Sequence, residues 1–348
     1  MTVQTKVVIL NWNGEAHLRR FLPSVVASTP PEVAIVVADN GSTDGSVELL
    51  QREFPTVEVI LFDRNHGFTA GYNLALERVE ADYYLIMNSD VEVTPGWTAP
   101  LIAALDAHAD VAAVSPKILS CNDKRYFEYA GASGGFIDWL GYPFCRGRVL
   151  AEVEQDRGQH DGEREIFWTS GACMLIRSNV FWELGGFDVK FFAHMEEIDL
   201  CWRMHLAGYK TMVQPQSVVY HLGGGTLPNN NPQKLYLNYR NNLAMIYKCS
   251  MRPSRHLTLF LRMFMDAGAA MVYFATGNFA FARKVFLAHA DYTRWKPELR
   301  RQRAALKERY CSDDELCRAA DSIIAPNIYR GSIVARYFLG CRRFGKLL

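Results

Sequence analysis

An apolar run that stops abruptly at polar residues constrains this chain most. Residues 84–87 are apolar, Asn88-Ser89-Asp90 follows, and an alternating pattern resumes at Val91. A strand buried in a parallel sheet reads as a nearly continuous apolar run, and ligands gather beyond the carboxyl ends of such strands. We therefore expect Asn88 and Asp90 at a strand mouth, where Asp90 can hold Mg²⁺ or Mn²⁺ together with substrate phosphates. Taken alone, the three residues also fit an ordinary turn.

Three earlier segments have the same form and favour the strand interpretation. Apolar runs at 6–10, 33–38 and 57–62 each end at polar residues, and each precedes a stretch that predicts a helix. The expected helices span 16–28, 46–54 and 70–79. Strands that alternate with helices predict a parallel sheet in an α/β layer. The polar residues then all fall at one end of their strands, which scattered turns would not do.

The charge of the chain is unevenly distributed along its length. Residues 1–239 contain 18 Lys and Arg against 29 Asp and Glu, a net charge of −11, whereas residues 240–348 contain 20 against 8, a net charge of +12. With 348 residues the chain can form one large domain or two ordinary ones. The basic C-terminal third predicts an anionic partner, either nucleic acid or an anionic membrane surface.

The cysteines and the N-terminus indicate a reducing compartment. The eight cysteines are scattered without a Cys-x-x-Cys motif, which argues against a zinc site and against a disulfide framework. The first apolar run, residues 7–10, is too short for a signal peptide. The simplest expectation is therefore the cytoplasm.

Three carboxylates stand together in a second polar segment. Glu196, Glu197 and Asp199 begin a helix that is expected to end at Ala207, with Gly208 just beyond it. Acidic residues in a first turn are favoured by the helix dipole, so capping alone can explain them. Aromatic residues precede them, however, and a partly desolvated carboxylate can gain the basicity that a general base needs. These aromatic residues are Phe187, Phe191 and Phe192.

Apolar and basic residues are interleaved in the C-terminal third. The longest uncharged stretch, 267–282, is shorter than a membrane-spanning helix, and Gly277-Asn278 favours a helical hairpin. Two basic clusters follow, at 300–303 and 342–346. This composition predicts peripheral membrane contact through residues 257–348. A helical appendage packed on the rest of the chain, or a dimer interface, is the alternative; nucleic acid is disfavoured because no recognition motif accompanies the charge.

Six motifs resemble those of the family-two glycosyltransferases with the GT-A fold, particularly the bacterial rhamnosyltransferase-like branch. They are residues 8–14, 39–44, Asn65-x-Gly67-Phe68-x-x-Gly71-x-Asn73, 88–90, 170–177 and 185–203. Each is weak alone, but they occur in the order of the family. The resemblance implies a mostly parallel Rossmann-like sheet flanked by helices in a catalytic domain of residues 1–245. Nucleotide-sugar binding would fall in about 1–115, the acceptor part in 116–245, and a helical extension in 246–348.

The resemblance also implies an activity. The expected reaction is an inverting transfer of a sugar from a UDP- or dTDP-sugar to a hydroxyl of a glycan or lipid-linked saccharide, on the cytoplasmic face of an inner membrane. A carboxylate acts as base, and Mg²⁺ or Mn²⁺ helps the diphosphate to leave. The implied donor-binding residues are Asn11, Asn13, Asp39, Asn65, Gly67, Asn88, Asp90 and Gly171; the metal ligands are Asp90 and His221; the base is Glu197, with Glu196 as the alternative.

Two positions depart from the family pattern. Asn88 replaces the first carboxylate of an Asp-x-Asp motif, which leaves Asp90 as the main carboxylate ligand, and Glu197 replaces an Asp. These departures are the only support for a non-catalytic sugar-nucleotide-binding protein. A sugar nucleotidyltransferase is a further alternative, but it usually carries a basic Gly-rich signature near its N-terminus, and residues 11–14 contain no Lys or Arg.

Three more features have open interpretations. Residues 223–226, Gly-Gly-Gly-Thr, fit a lid that orders when donor binds. Arg240 could reach a phosphate or be an exposed helical charge. Asp199 and Arg203 have the spacing of a surface ion pair on a helix.

Overall fold

The computed structural model describes residues 4–223, 231–340 and 342–346. It begins with alternating strands and helices, and the three helices agree with the predicted ranges to within three residues at each end. These elements are β1 (Thr5–Asn11), α1 (Glu15–Ser28), β2 (Ala34–Asp39), α2 (Ser46–Glu53), β3 (Glu58–Leu61), α3 (Phe68–Leu76) and β4 (Tyr83–Asn88).

The middle of the chain is richer in strands, and its last part is mostly helical. The middle elements are β5 (Val91–Val93), α4 (Thr98–Ala107), β6 (Val111–Ser120), β7 (Gly135–Asp138), β8 (Pro143–Cys145), β9 (Arg148–Val149), β10 (Glu152–Val153), β11 (Arg164–Ile166), β12 (Cys173–Arg177), α5 (Ser178–Glu183), α6 (Glu196–Leu206) and β13 (Lys210–His221). The last elements are α7 (Pro232–Cys249), α8 (Arg255–Ala275), α9 (Phe279–Tyr310), α10 (Asp314–Ile324), β14 (Ile328–Tyr329) and α11 (Ile333–Phe338).

The main sheet has the strand order β11-β13-β6-β12-β4-β1-β2-β3, with β5 paired to β13. The first four strands are mutually parallel, as predicted from their apolar runs. β6 and β13 are parallel to each other, and β12 lies between β6 and β4 in the antiparallel direction. The expected α/β architecture, with a helical C-terminal region, is confirmed.

Both faces of this sheet are covered, which explains the continuous apolar runs. On β1, Val7 and Ile9 pack with Leu18 of α1 on one face. Val8 packs with Tyr72 of α3 on the other face. All five side chains are at most 2% exposed. A strand buried on both sides has no polar face, so its sequence does not alternate.

The register of the parallel strands brings the polar residues to one edge. Asn11 at the end of β1 lies opposite Asp39 at the end of β2. Leu10 lies opposite Asn88 at the end of β4. The carboxyl ends of these three strands therefore lie side by side, and the polar residues that follow them lie at the same edge of the sheet.

A second, smaller sheet joins the middle of the chain to its C-terminal region. Its order is β10-β9-β8-β7-β14, and β14 is parallel to β7. The buried carboxylate of Asp138, at the end of β7, accepts a hydrogen bond from the Ile333 main-chain N–H at 3.0 Å. This contact links residues that are 195 positions apart.

The C-terminal helices pack onto the same core as the main sheet. Tyr292, Trp295 and Leu299 of α9 belong to the main buried cluster. The Trp295 ring meets Phe191 edge-on, with 5.4 Å between ring centroids. The domain boundary expected near residue 245 falls inside α7, and the division of the chain there stays a prediction.

One cysteine pair differs from the expectation of no disulfide. Cys311 and Cys317 are bonded across the turn between α9 and α10. Asp313 accepts the Glu315 and Leu316 N–H groups and turns the chain there, which brings the two sulfurs together. Cys121, Cys145, Cys173, Cys201 and Cys249 are free.

Candidate active site

The loops after β1 and β2 hydrogen-bond to each other at the carboxyl ends of these strands. Buried Asn11 donates from Nδ2 to Asp39 Oδ2 at 3.0 Å. Asp39 Oδ1 accepts the Ser42 main-chain N–H at 2.8 Å. The Asn13 side-chain oxygen accepts the Thr43 N–H at 2.7 Å. These bonds fix the two loops as one unit, so that predicted donor-binding residues 11, 13 and 39 lie together.

A buried asparagine attaches the loop after β3 to this unit. Asn40 donates from Nδ2 to Asn65 Oδ1 (3.1 Å) and to the Gly67 carbonyl (3.0 Å), and it accepts the His66 N–H at 3.0 Å. Gly67 has φ +80°, and a Cβ there would lie 2.6 Å from the Phe192 ring. Both facts require glycine at this position. Asn40 was missed as a site residue, although it directly follows Asp39 in the same motif.

Asn73 of α3 connects this region to the segment before the glutamates. Its Nδ2 donates to the Phe187 carbonyl at 2.8 Å, and its Oδ1 accepts the Phe187 N–H at 3.0 Å. Both polar ends of the side chain are thus used by the backbone of one residue. The role of Asn73 is therefore to hold the loop.

Asp90 lies against His221 in a cluster of buried ionisable side chains. The two meet because β13 pairs antiparallel with β5, which places His221 opposite Val91. His221 Nε2 is 3.2 Å from Asp90 Oδ1. On its other side, His221 Nδ1 is 3.5 Å from Glu128 Oε2, an ion-pair distance rather than a hydrogen bond. Glu128 was not predicted, because the loop that carries it has no distinctive sequence pattern.

Burial and the neighbouring charges shift the pKa values of Asp90 and His221. Burial acts to raise the pKa of Asp90, but the hydrogen bond and charge of His221 hold it below its ordinary value. Burial acts to lower the pKa of His221, but Asp90 and Glu128 together raise it to about 10. The acidic side chains of Asp90 and Glu128 therefore favour a positive charge between them.

The residues of this cluster fit a divalent cation that is shared with a ligand. Within residues 4–223, 231–340 and 342–346, no group of three His, Cys, Asp or Glu side chains could hold a metal without help. Asp90 and His221 offer one carboxylate and one imidazole, and Asn88 adds an amide two residues from Asp90. Mg²⁺ and Mn²⁺ are commonly held by one or two carboxylates plus phosphate oxygens, so this incomplete set suits a cation that arrives with a diphosphate.

Gly171 joins the strand end of β4 to the glutamates. The neighbouring Ala172 carbonyl accepts the Asn88 N–H at 3.0 Å. A Cβ added to Gly171 would lie 3.7 Å from Glu197 Cβ and 3.8 Å from Glu196 Oε1. These are ordinary contact distances, so the glycine leaves a small space directly in front of both carboxylates. Gly171 therefore lies between the end of β4, which carries Asn88, and the two glutamates.

Glu196 and Glu197 are desolvated and only partly hydrogen-bonded. Glu196 is 4% exposed, whereas Glu197 keeps part of its surface in solvent. The Oε2 atom of each is buried without a hydrogen-bond partner among the described residues. Burial raises the pKa of Glu197 to about 7 even though main-chain N–H groups act to lower it. Burial and the charge of Glu197 raise the pKa of Glu196 well above its ordinary value.

The backbone just before these glutamates is strained. Phe192, His194 and Met195 have φ values of +66°, +68° and +71°. Left-handed backbone is uncommon for residues other than glycine, and it persists only where the surroundings enforce it. Three such residues in four positions indicate that the 187–195 segment is held in place by its neighbours.

Helix α7 supplies the groups that hold this segment. Buried Asn241 donates from Nδ2 to the carbonyls of Phe191 (3.0 Å), Ala193 (2.9 Å) and His194 (2.7 Å). Arg240 donates to the carbonyls of Lys190 (2.9 Å) and Phe191 (3.1 Å). Arg240 therefore binds the backbone beside the site.

Comparison with known proteins identifies the family. Residues 6–185 match the family described as Glycosyl transferase family 2. This range covers more than half of the chain and contains most of the predicted site residues. The chain belongs to glycosyl transferase family 2. It is a glycosyltransferase with a GT-A fold, as the motifs predicted.

Individual relatives of this family 2 glycosyltransferase agree with the assignment. It is 29% identical over 236 residues to an N-acetylglucosaminyl-diphospho-decaprenol L-rhamnosyltransferase of Mycobacterium tuberculosis, a match that covers 64% of this chain and 76% of the relative. The structure of GalNAc-T7 with UDP, GalNAc and Mn²⁺ superposes with a TM-score of 0.56 at 18% identity, covering 71% of this chain and 48% of that one.

A further solved structure covers nearly the whole chain. The mannosyltransferase PcManGT from Pyrobaculum calidifontis, in complex with GDP-Man and Mn²⁺, superposes with a TM-score of 0.53 at 15% identity, covering 94% of this chain and 87% of that one. At this identity the likeness shows the fold alone. Both structural neighbours are named with a nucleotide and Mn²⁺.

One expectation about this glycosyltransferase is wrong, and another lies outside the described residues. Asp199 and Arg203 are bonded at 2.9 Å but are 0% and 5% exposed, so they form a buried pair rather than a surface pair. Lys248 of α7 also contacts Asp199 at 2.7 Å, which compensates the buried charge. Of the expected lid, only Gly223 is described, and residues 224–226 fall outside the described ranges.

Removing the Asn241 side chain should slow the enzyme by misplacing its glutamates. We expect Asn241→Ala to lower kcat by about 10- to 100-fold, because the left-handed segment loses three hydrogen bonds and a displacement of about 1 Å can cost 10²-fold. Donor KM should change little. Steady-state kinetics measures both effects.

The adjacent Asn242 is the matched control. It is equally buried on the same helix, but its Nδ2 donates to the Gly141 carbonyl at 2.8 Å. Its contact with the segment before the glutamates is a single one, 4.0 Å to the Met195 sulfur, and it binds none of the main-chain carbonyls that Asn241 holds. Asn242→Ala should lower thermal stability as Asn241→Ala does, with kcat within about threefold of wild type if positioning is specific to Asn241. Equal kcat losses in the two variants would show that Asn241 has only a structural role.

Proposed function

We propose that this glycosyltransferase transfers a sugar, with inversion, from a UDP- or dTDP-sugar to a hydroxyl of a glycan or lipid-linked saccharide. The observation that carries the proposal is the pair of desolvated carboxylates at the start of α6, next to Gly171 and the strand end of Asp90. One carboxylate is needed as base behind the acceptor oxygen. A second, nucleophilic carboxylate is not needed for a direct displacement.

The nucleotide end of the donor would occupy the edge formed by the loops after β1, β2 and β3. Asp39 keeps acceptor capacity on both oxygens beyond its bonds to Asn11 and Ser42, which suits a pyrimidine N–H or a ribose hydroxyl. Asn13, Asn65 and Gly67 shape the rim of this subsite through their loop bonds.

The diphosphate would lie beside Asn88, Asp90 and His221. These residues would hold Mg²⁺ or Mn²⁺, which when bound supplies Lewis-acid stabilisation of the leaving diphosphate. Glu128 orients His221 from the opposite side of the ring. The presence of Mn²⁺ in the names of both structural neighbours supports a divalent cation here.

The acceptor hydroxyl would enter the space in front of Gly171. Glu197 takes the hydroxyl proton while the acceptor oxygen forms its bond to the anomeric carbon, and the bond from that carbon to the diphosphate oxygen breaks with its electron pair on the diphosphate. The name of the mycobacterial relative includes a diphospho-decaprenol, which supports a lipid-linked acceptor. In this proposal the acceptor is met on the cytoplasmic face of a membrane.

The pH dependence of the reaction should report the raised pKa of the base. Because Glu197 must be deprotonated to act and its pKa is raised to about 7, kcat/KM should fall about tenfold per pH unit below 7 and level off above it. A pH series at constant metal and ionic strength measures this limb. The limb should disappear in Glu197→Gln; if it persists there, it belongs to another group.

Nucleotide-sugars provide the direct test of the proposal. The purified protein should show metal-dependent thermal stabilisation by one of a panel of UDP- and dTDP-sugars, and should then transfer that sugar to a lipid-linked saccharide with the opposite anomeric configuration. Stabilisation without transfer or hydrolysis would favour a non-catalytic sugar-nucleotide-binding protein. Formation of a nucleotide-sugar from nucleoside triphosphate would favour a nucleotidyltransferase.

A further inference from the structure

Helix α8 is oriented with its charged residues inward. Arg262 and Asp266, the only charged residues in 257–282, are 4% and 2% exposed. The Arg262 guanidinium lies 3.4 Å from the centroid of the Tyr142 ring, and Asp266 Oδ2 is 3.2 Å from His289 Nε2. The polar stripe of this helix therefore faces the protein, the reverse of a helix on a water-soluble surface.

The outward side of α8 is apolar. Its large side chains recur at helical spacing and are each more than half exposed, and two phenylalanines of α9 extend the same kind of surface. They are Leu257 (56%), Phe260 (66%), Phe264 (71%), Met271 (72%), Val272 (62%) and Phe274 (65%), with Phe279 (58%) and Phe286 (57%) of α9. We call these eight residues the outer face. Single exposed apolar residues are common, but a clustered set marks an interaction site.

The packing of α8 and α9 argues against α8 as a membrane-spanning helix, so the exposed apolar residues of the outer face need another explanation. Among the described residues, α8 is the one helix long and apolar enough to do so by length and composition. However, α9 follows after a turn of three residues and is tied back to α7, where Tyr236 donates to Asp291 Oδ2 at 2.7 Å and Lys284 donates to Gln233 Oε1 at 2.7 Å. Both ends of α8 thus belong to one packed body, and the helix lies along its surface.

The charges around the outer face indicate what covers it. Residues 251–310 contain twelve Lys and Arg against four Asp and Glu, a net charge of +8. Arg283 is exposed between Phe279 and Phe286, and Arg300 and Arg301 are exposed further along α9. Arg303 does not contribute in the same way, since it donates to the carbonyls of Tyr247 and Lys248 at 3.4 Å. Two copies packed face to face would bring like charges together, whereas an anionic lipid surface would neutralise them.

We infer that the outer face of α8 and α9 inserts into the headgroup and upper acyl region of an anionic lipid leaflet. The phenylalanines and aliphatic side chains enter the apolar boundary, and Arg283, Arg300 and Arg301 meet the lipid phosphates. This inference deepens the proposed function by naming the surface through which a lipid-linked acceptor is met, and it requires no turnover. Helices α8 and α9 pack on α7, whose Asn241 holds the segment before the glutamates. The proposed docking surface and the candidate site therefore belong to one packed body.

Vesicle co-sedimentation of the full chain tests the inference. Wild-type protein should bind vesicles of phosphatidylcholine with phosphatidylglycerol at low salt, and part of the binding should remain at 1 M NaCl, because apolar contact is not screened. Phe260→Ser with Phe264→Ser should lower the partition coefficient by about tenfold or more. Phe338→Ser with Leu339→Ser is the matched control: both residues are nearly 80% exposed, on and just after α11, and binding should be unchanged.

Three outcomes would overturn the inference. The first is absence of wild-type binding to anionic vesicles at low salt, and the second is equal loss of binding in the two double variants. The third is a dimer, measured by light scattering, that the Phe260→Ser and Phe264→Ser pair dissociates, since the outer face would then be a subunit interface. Donor hydrolysis should be equal in all variants. Vesicle binding without any transfer activity would sustain the inference and reject the proposed function.

Discussion

Glu197→Gln should lower kcat by a factor of about 10² to 10⁴, the usual loss when a general base is removed. The amide has nearly the same size and shape as the carboxylate but cannot take a proton. Donor KM should stay within about threefold of wild type, because the proposed role of Glu197 is toward the acceptor and not the donor. Single-turnover and steady-state rates with saturating donor measure the effect on chemistry.

Glu196→Gln is the matched control for this prediction. Glu196 is 4% exposed, and burial together with the charge of Glu197 raises its pKa. Glutamine has nearly the same size and shape as this side chain, and the variant should keep kcat within about tenfold of wild type if Glu197 is the base. If Glu196→Gln is inactive and Glu197→Gln is active, the base is Glu196.

Asp90→Asn should reduce turnover by about 10³-fold or more. The change removes the main carboxylate proposed for the metal and leaves His221 facing a neutral amide. Loss of several kcal/mol of transition-state charge stabilisation corresponds to this factor. Stabilisation of the protein by UDP or dTDP with Mn²⁺ should disappear, as measured by thermal unfolding with and without metal.

Two further variants distinguish loss of metal binding from loss of protein stability. Asp266→Asn alters another buried Asp–His contact, also at 3.2 Å, but on α8; it should lower stability and keep metal-dependent nucleotide binding. Asn88→Asp restores a second carboxylate at the strand end and should strengthen Mn²⁺ binding. Undiminished turnover of wild-type enzyme in EDTA would contradict the metal assignment.

The residues at the sheet edge could be predicted from the sequence because each buried strand is an apolar run that ends at a polar residue. An apolar run in β4 ends at Asn88, and the same transition in β1 and β2 located Asn11 and Asp39 before any contact was known. The acidic first turn and Gly208 also located the helix that begins at Glu196. The family resemblance then gave these positions their expected roles.

Other parts of the site could not be predicted, because they depend on contacts between residues that are far apart in the sequence. Asp199 and Arg203 have the spacing of a surface pair, and only Lys248, 45 residues beyond Arg203, shows that their charges are buried. Glu128 reaches His221 from a loop without periodicity. Asn241 is one polar residue on a long helix, and its three carbonyl partners become visible only in three dimensions.

The pairing of β7 with β14 has a consequence for how the chain matures during synthesis. Asp138 is completed as an acceptor by the N–H of Ile333, so the small sheet lacks its edge strand until almost 200 further residues have been made. At about 5–20 residues per second this wait lasts roughly 10–40 s. During that interval β7 exposes an unpaired edge on the ribosome-bound chain, which is where a chaperone or a protease would compete with folding. A segment that is translated long after β7 thus closes the sheet to which β7 belongs.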